Sequence, residues 1–304
     1  MLKYLISLFF VFNITQISAQ DIPVNGIEII YGRKDGMALT CFVQMPAKSN
    51  GKALISIVSG NWRSGLDMML RYGNKDKAYV DRGYTVFNVI HSSQPRYTIP
   101  DEEEDIKRAV RFIRYNAKQY GIDPGKIGIT GASSGGNLAL LIATADDNAD
   151  INSADPVDRV SSRVQAVAVF FPPTDFLNYG QNGFNASASQ AILIATGLSA
   201  AFDFKKWNDT SRTYVSISDI ETRKNIAKQV SPIYFVTTDD PPTLIIHGDA
   251  DRLVPLQQSE SIILKFQEAK VPNKLIIKKG AGHGWRTTDE DEKNLVEWFD
   301  SYLK

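Results

Sequence analysis

Cysteine is nearly absent from this chain: Cys41 is the single one in 304 residues, so no intrachain disulfide can form and stability has to come from a buried core. That cysteine sits in Leu39-Thr40-Cys41-Phe42-Val43, an apolar strand-like stretch, and reads as a packed thiol rather than a nucleophile. An excess of charge of one sign is missing too. Lys+Arg and Asp+Glu both number 34, which leaves no basic surface to draw nucleic acid and no acidic surplus typical of a disordered chain. Histidine is scarce, with His91, His247 and His283 the full set, so candidates for a general base are few. Long hydrophobic runs are also lacking. The apolar run Tyr4 to Ile14, broken by Ser7 and Asn13, falls short of the roughly 20 residues of a spanning helix. With Lys3 before it and Ile17-Ser18-Ala19 after it, residues 1–20 read as a secretory signal cleaved near Ala19 or Gln20. The expectation is a secreted or periplasmic mature chain without stable membrane insertion.

What is present is a hydrophobic share of 43%, enough for one full core, in short β-rich runs that alternate with longer helical segments. Ile27 to Tyr31 and Met37 to Met45 read as an opening antiparallel hairpin. Leu54 to Val58, Thr85 to Ile90, Ile127 to Thr130, Val164 to Phe171, Leu244 to Ile246 and Leu275 to Ile277 suit parallel strands covered on both faces. Between them, Pro100 to about Tyr120 predicts a helix whose buried face is Ile106, Ala109, Val110, Ile113 and Ala117. The acids Asp101 to Asp105 open that helix against the positive end of its dipole; side chains on consecutive helical residues diverge, so a metal site is not expected of them. A stretch from about 178 to 230, rich in Phe, Ser, Asn and Thr, breaks the alternation and reads as a cap-like insertion in a single domain spanning 21–304.

One motif carries chemistry. Gly131-Ala132-Ser133-Ser134-Gly135 follows the strand at Ile127 and precedes an apolar helix from Asn137. A serine there sits on a sharp strand-to-helix turn that flanking glycines make sterically possible, with the helix dipole aimed at the site. Serine needs a base. His283 lies in Gly280-Ala281-Gly282-His283-Gly284, a flexible loop after the final strand; His247 ends a strand and reads as a buried structural histidine, and His91 as either pocket-lining or structural. An acid should orient His283, and the residues themselves leave Asp249 and Asp251 open. Backbone donors for an oxyanion are expected from the N–H of Ser134 and from Gly60 or Asn61, in the loop after the strand ending at Val58. Trp62 and Trp285 either stack on a sugar or aromatic ring or pack at the rim.

From about Leu54 onward the sequence resembles the esterase/lipase branch of the α/β-hydrolase superfamily, including its hormone-sensitive-lipase-like and bacterial feruloyl or acetyl-xylan esterase-like groups. The resemblance is carried by Gly121-Ile122-Asp123-Pro124, Gly131 to Ala139, Pro241-Pro242-Thr243-Leu244-Ile245-Ile246-His247-Gly248-Asp249-Ala250-Asp251 and Val254-Pro255. It implies an α/β-hydrolase fold: a mainly parallel central sheet with an opening antiparallel hairpin, helices on both faces and a cap-like insertion. It also implies that the triad acid is the second aspartate of H-G-x-x-D, here Asp251, in the chain order Ser133, Asp251, His283. One departure stands out. Where such proteins usually carry H-G-G-G-W, this chain has Ser59-Gly60-Asn61-Trp62, so the geometry of that loop is expected to differ.

The expected function is carboxylic-ester hydrolysis by a secreted serine hydrolase through an acyl-enzyme, on a small-molecule or polysaccharide-linked ester such as a carbohydrate acetyl or feruloyl ester. Neither a metal nor another cofactor is called for, and nothing speaks to oligomeric state. Two alternatives remain: a serine peptidase of prolyl-oligopeptidase type and a catalytically inactive hydrolase-fold binding protein.

Overall fold

The structure, a computed structural model, describes residues 26–72, 76–93, 96–199, 201–202 and 204–304; the secretory signal expected at residues 1–20 lies outside them. The chain opens with β1 (Ile27–Lys34), β2 (Met37–Gln44) and β3 (Ala53–Val58), then α1 (Leu66–Tyr72) and α2 (Lys77–Val80), β4 (Thr85–Ile90), α3 (Ile99–Tyr115), β5 (Ile127–Ala132), α4 (Ser134–Thr144) and β6 (Ala166–Phe170). There follow α5 (Gln190–Ala195), the pair β7 (Lys205–Asn208) and β8 (Thr213–Ser216), and α6 (Ile220–Gln229). It closes with β9 (Thr243–Gly248), α7 (Gln257–Glu268), β10 (Asn273–Lys278) and α8 (Asp289–Tyr302).

Eight strands form one sheet in the order β1-β2-β4-β3-β5-β6-β9-β10. β1 pairs antiparallel with β2, and β2 antiparallel with β4, whereas the strands from β4 to β10 run parallel. The inner strands are mostly apolar because helices cover both faces. On one face α3, α4 and α7 supply Ile106, Val110, Leu138, Leu141, Ile262 and Phe266 to the larger core. On the other, α8 packs Leu295, Val296 and Phe299 over Leu54, Val86 and Ala166. That helix lies so close to β5 that a Cβ on Gly128 would fall 2.7 Å from the Phe299 ring.

Local signals explain the boundaries. α3 starts at a capping box between Thr98 and Asp101. It ends at Asn116, whose side-chain amide donates to the Phe112 carbonyl. The helix expected to about Tyr120 is therefore shorter: Ala117 and Tyr120 stay buried but in turns that lead to Gly121 at φ +62°. Of the acids in its first turns, Glu103 and Glu104 pair with Lys107, and Asp105 with Lys34 at 2.8 Å. The insertion region holds α5, the β7–β8 hairpin and α6, joined to the rest through Phe176, Phe202 and Phe204.

Candidate active site

β5 delivers Ser133 at its C-terminal end, on a backbone of φ 54° and ψ −119°. L-residues rarely adopt that conformation, and it persists only where the surroundings enforce it. Here the Ser133 N–H donates to the Phe170 carbonyl at 3.0 Å, and its own carbonyl accepts the Asn137 N–H at 2.9 Å. The flanking glycines are steric requirements: a Cβ on Gly131 would lie 2.4 Å from the carbonyl of Gly135, and one on Gly135 would lie 3.2 Å from the Ile57 oxygen. α4, with every residue buried, begins at Ser134 and turns its free N–H groups toward the serine.

The base and the acid arrive on two loops held edge to edge. The Ala250 N–H donates to the Ala281 carbonyl at 3.0 Å, and the Gly280 N–H to Asp249 Oδ1 at 2.5 Å. Gly248 admits this contact because a Cβ there would sit 2.2 Å from the Ala281 oxygen. His283 then lies with Nε2 3.0 Å from Ser133 Oγ and Nδ1 2.7 Å from Asp251 Oδ2. In the tautomer this implies, Nδ1–H donates to Asp251 and Nε2 accepts the serine proton. Phe171, itself at φ 35°, places its ring edge against the imidazole with centroids 4.6 Å apart. Asp251 Oδ1 is fixed by the Leu253 and Val254 amides, both at 2.9 Å.

A second histidine stands behind the acid. His247 is fully buried, donates from Nε2 to the Val254 carbonyl at 2.9 Å, and keeps that nitrogen 3.4 Å from Asp251 Oδ2. Burial alone would raise the Asp251 carboxyl, but hydrogen bonds from His247 and His283 and from the Val254 amide outweigh it and hold the group well below the usual carboxylate range. Asp251, not Asp249, thus meets the base; Asp249 serves the loop that carries it.

The oxyanion loop departs from expectation at one residue. Gly60 and Arg63 exchange backbone hydrogen bonds, Gly60 N–H to Arg63 O at 2.9 Å and Arg63 N–H to Gly60 O at 3.1 Å. Asn61 and Trp62 between them have φ of 52° and 54°. Positive φ at both central positions marks a type I′ turn, which asparagine tolerates well. The Gly60 N–H is spent inside that turn and is not a free oxyanion donor; of the two donors expected from sequence, Gly60 or Asn61, this leaves Asn61. The N–H of Asn61 and that of Ser134, the first residue of α4, have no acceptor among the described residues. Ser59 ties the loop to the elbow through its hydroxyl, 2.9 Å from Ser134 Oγ.

The remaining residues singled out by sequence separate. Trp62 is 2% exposed; it lines the cavity from below, with Nε1–H donating to Asn137 Oδ1 at 3.1 Å and its ring tilted on Phe176. Trp285 is half-buried, edge-on to Phe171 at 4.8 Å, and lines the same cavity. His91 does not line it. The imidazole is fully enclosed, burial pushes it down to about 4, and its backbone N–H donates to Ser64 Oγ just behind the oxyanion loop. A cavity of about 880 Å³ opens above Ser133 and His283, walled by Tyr179, Leu198, Leu253 and Phe171. None of the four was singled out by sequence: Tyr179 and Leu198 fall in the insertion, which has no readable motif, Phe171 ends an expected strand, and Leu253 sits between Asp251 and Val254.

A serine, an imidazole and a carboxylate in series, beside two free backbone N–H groups and an open cavity, can carry out acyl transfer. Residues 40–266 match the BD-FAE family model. Among curated proteins the chain is similar to Esterase LipQ of Mycobacterium tuberculosis, 26% identical over 222 residues, covering 71% of this chain and 46% of that protein. The chain spans about half the length of such relatives. Among solved structures it is similar to a truncated carbohydrate esterase from gut microbiota, with TM-score 0.71, 25% identity, and coverage of 94% of this chain and 98% of that one. An acetyl ester-xyloside bifunctional hydrolase from Caldicellulosiruptor lactoaceticus also shares the fold, with TM-score 0.71, 22% identity, and coverage of 91% and 96%. With three quarters of its length inside that family match, the chain belongs to the BD-FAE family of α/β-hydrolase esterases.

Proposed function

We propose that this chain is a carboxylic-ester hydrolase acting on carbohydrate-linked esters through Ser133, His283 and Asp251. The observation that carries the reading is the unbroken hydrogen-bond chain from Ser133 Oγ to His283 to Asp251, at 3.0 and 2.7 Å, opening on the cavity. In this mechanism Ser133 Oγ attacks the acyl carbon as His283 Nε2 takes its proton, and Asp251 stabilises the imidazolium. The carbonyl oxygen becomes anionic against the N–H groups of Ser134 and Asn61. His283 hands the proton to the departing alcohol, leaving an acyl-serine. Water, deprotonated by the same imidazole, releases the acid and restores the serine. The carbohydrate part draws on the solved carbohydrate esterase and acetyl ester-xyloside hydrolase to which the chain is similar. Export by residues 1–20 belongs to the same proposal and rests on sequence; N-terminal sequencing of the protein recovered outside the cytoplasm checks it.

The test is labelling by a fluorophosphonate probe, wild type against Ser133→Ala, followed by turnover of p-nitrophenyl acetate, acetylated xylan and a prolyl-p-nitroanilide. Labelling that depends on Ser133, with turnover of the esters, is expected. Absence of Ser133-dependent labelling refutes the catalytic reading and leaves a binding protein; turnover of the anilide alone assigns a peptidase instead.

A further inference from the structure

The lining of the cavity above Ser133 includes a group of residues that the triad does not use. They lie on the α8 face of the sheet, where the side chains are otherwise Leu54, Val86, Ala166 and Ala168. Three polar residues interrupt that face in a straight row: register pairs Ser56 of β3 with Asn88 of β4 on one side and with Thr130 of β5 on the other. All three line the cavity. Asn88 and Thr130 are 6% and 8% exposed, and the hydroxyls of Ser56 and Thr130 have no hydrogen-bond partner among the described residues.

A carboxylate closes the end of the row. Asp76 Oδ2 accepts Asn88 Nδ2–H at 2.7 Å and Gln44 Nε2–H at 3.0 Å, and both Asp76 and Gln44 line the cavity. With their amide nitrogens so engaged, the side-chain oxygens of Asn88 and Gln44 take no hydrogen bond from any described residue. These oxygens face the open cavity rather than other protein groups, so a ligand that enters can take their hydrogen bonds in place of water. The chemistry offered is a set of donors and acceptors in a line about one sugar ring long, since neighbouring strands lie about 4.8 Å apart. Tyr79, Leu295 and Trp285 add apolar surface beside it, which suits the C–H faces of a ring.

We propose that the row Asn88, Ser56 and Thr130, closed by Gln44 and Asp76, is the subsite for the hydroxylated alcohol half of the ester, a pyranose ring. The placement is consistent with the direction of reaction. His283 protonates the departing alcohol, and the residues that follow it, Gly284, Trp285 and Thr287, line the same cavity. The inference rests on the ester-hydrolase reading and goes beyond it, because it assigns which wall of the cavity distinguishes a sugar ester from a plain one.

The experiment compares kcat/KM for an acetylated methyl β-D-xylopyranoside with that for p-nitrophenyl acetate in the wild type, Thr130→Val, Ser56→Ala and the control Thr85→Val. Thr85 lies on the opposite face of β4, where its hydroxyl is buried, unpartnered and away from the cavity. The expected result is a sugar-to-plain ratio lowered about three- to tenfold by each of the first two substitutions, the worth of one hydrogen bond, and unmoved by the third. Unacetylated methyl β-D-xylopyranoside should also inhibit p-nitrophenyl acetate hydrolysis competitively, and cyclohexanol should not. A ratio unmoved in both Thr130→Val and Ser56→Ala, or cyclohexanol inhibiting as well as the glycoside, overturns the subsite. Failure of the wild type to hydrolyse p-nitrophenyl acetate at all instead refutes the ester-hydrolase reading beneath it.

Discussion

Two glycines three residues apart on β5 should fail in opposite ways when given a methyl group. In Gly131→Ala the new Cβ would lie 2.4 Å from the carbonyl carbon and oxygen of Gly135 and 3.0 Å from the Gly136 nitrogen. Ordinary contact begins near 3.5 Å, so about 1 Å of movement is needed, and the atoms in the way are backbone. That backbone is the elbow itself, and shifting it carries Ser133 Oγ away from His283 Nε2, now at 3.0 Å. A displacement of about 1 Å at the reacting atoms costs on the order of 10²-fold in rate. In Gly128→Ala the Cβ meets the Phe299 ring at 2.7 Å, a side chain in the α8 core far from the serine. Overpacking of that kind costs about 1–3 kcal/mol of stability, with the chemistry untouched. The assay is kcat/KM on p-nitrophenyl acetate beside the thermal midpoint for both variants. Gly131→Ala at wild-type activity, or Gly128→Ala losing activity in step with Gly131→Ala while its midpoint stays put, would refute the steric account of the elbow.

Asp251→Asn should lower kcat by about 10⁴-fold, because the amide favours the wrong imidazole tautomer; Asp249→Ala, which frees only the loop amide of Gly280, should cost far less, and steady-state kinetics on one ester separates them. Glu102 provides a pH test of stability. It is wholly buried, and burial, with Asp105 and Asp101 adding to it, pushes its carboxyl up to about 10. The folded state therefore keeps a proton that the unfolded chain loses near its ordinary value, so stability falls as pH rises from about 4.5 toward 10. Glu102→Gln should flatten that decline and raise the thermal midpoint at pH 8; an unchanged slope would contradict it. Asn61→Gly should keep kcat near wild type, since glycine accepts φ 52° freely, whereas Asn61→Val should lose activity as a β-branched residue forces the turn open. Equal activity of the two would show that the I′ turn does not set the donor geometry.

Much of this site could be read from residue order alone. Ser133 and His283 stand out because glycines crowd them just after apolar runs, and a backbone that must bend sharply at a sheet edge leaves that mark. The choice of Asp251 over Asp249 needed the resemblance, since two aspartates two residues apart past one strand have the same local signature. Only their partners, His283 and the Gly280 amide, tell them apart. The choice between Gly60 and Asn61 stays open in the sequence for a related reason: a glycine in an oxyanion loop suggests a free amide, but the turn closed by Arg63 consumes it. The β7–β8 hairpin was hidden by a lack of pattern, as Lys205, Lys206, Trp207, Thr213 and Tyr214 are all exposed and no alternation marks a buried face. The row Asn88, Ser56 and Thr130 was invisible for a deeper reason. A single polar residue inside an apolar strand carries no signal until register sets three of them side by side.

The position of β10 has a further consequence. It is the outermost strand, held by β9 alone, and the loop it leads into carries the base, whereas the nucleophile stands at the end of β5 in the centre. Edge elements open at lower free energy than central ones. Detachment of this flap would remove His283 and the rim contacts of Leu275, Ile276 and Trp285 while the elbow and the centre of both cores stay in place. In rising denaturant, activity should therefore vanish before the circular-dichroism transition begins, with only the emission of Trp285, which leaves Phe171 together with His283, changing alongside it, and amides of β10 should exchange with solvent ahead of those of β5. Turnover thus reports on the fraying of one strand, and lasting catalytic life under stress is set by the grip of β9 on β10 more than by the global stability of the domain.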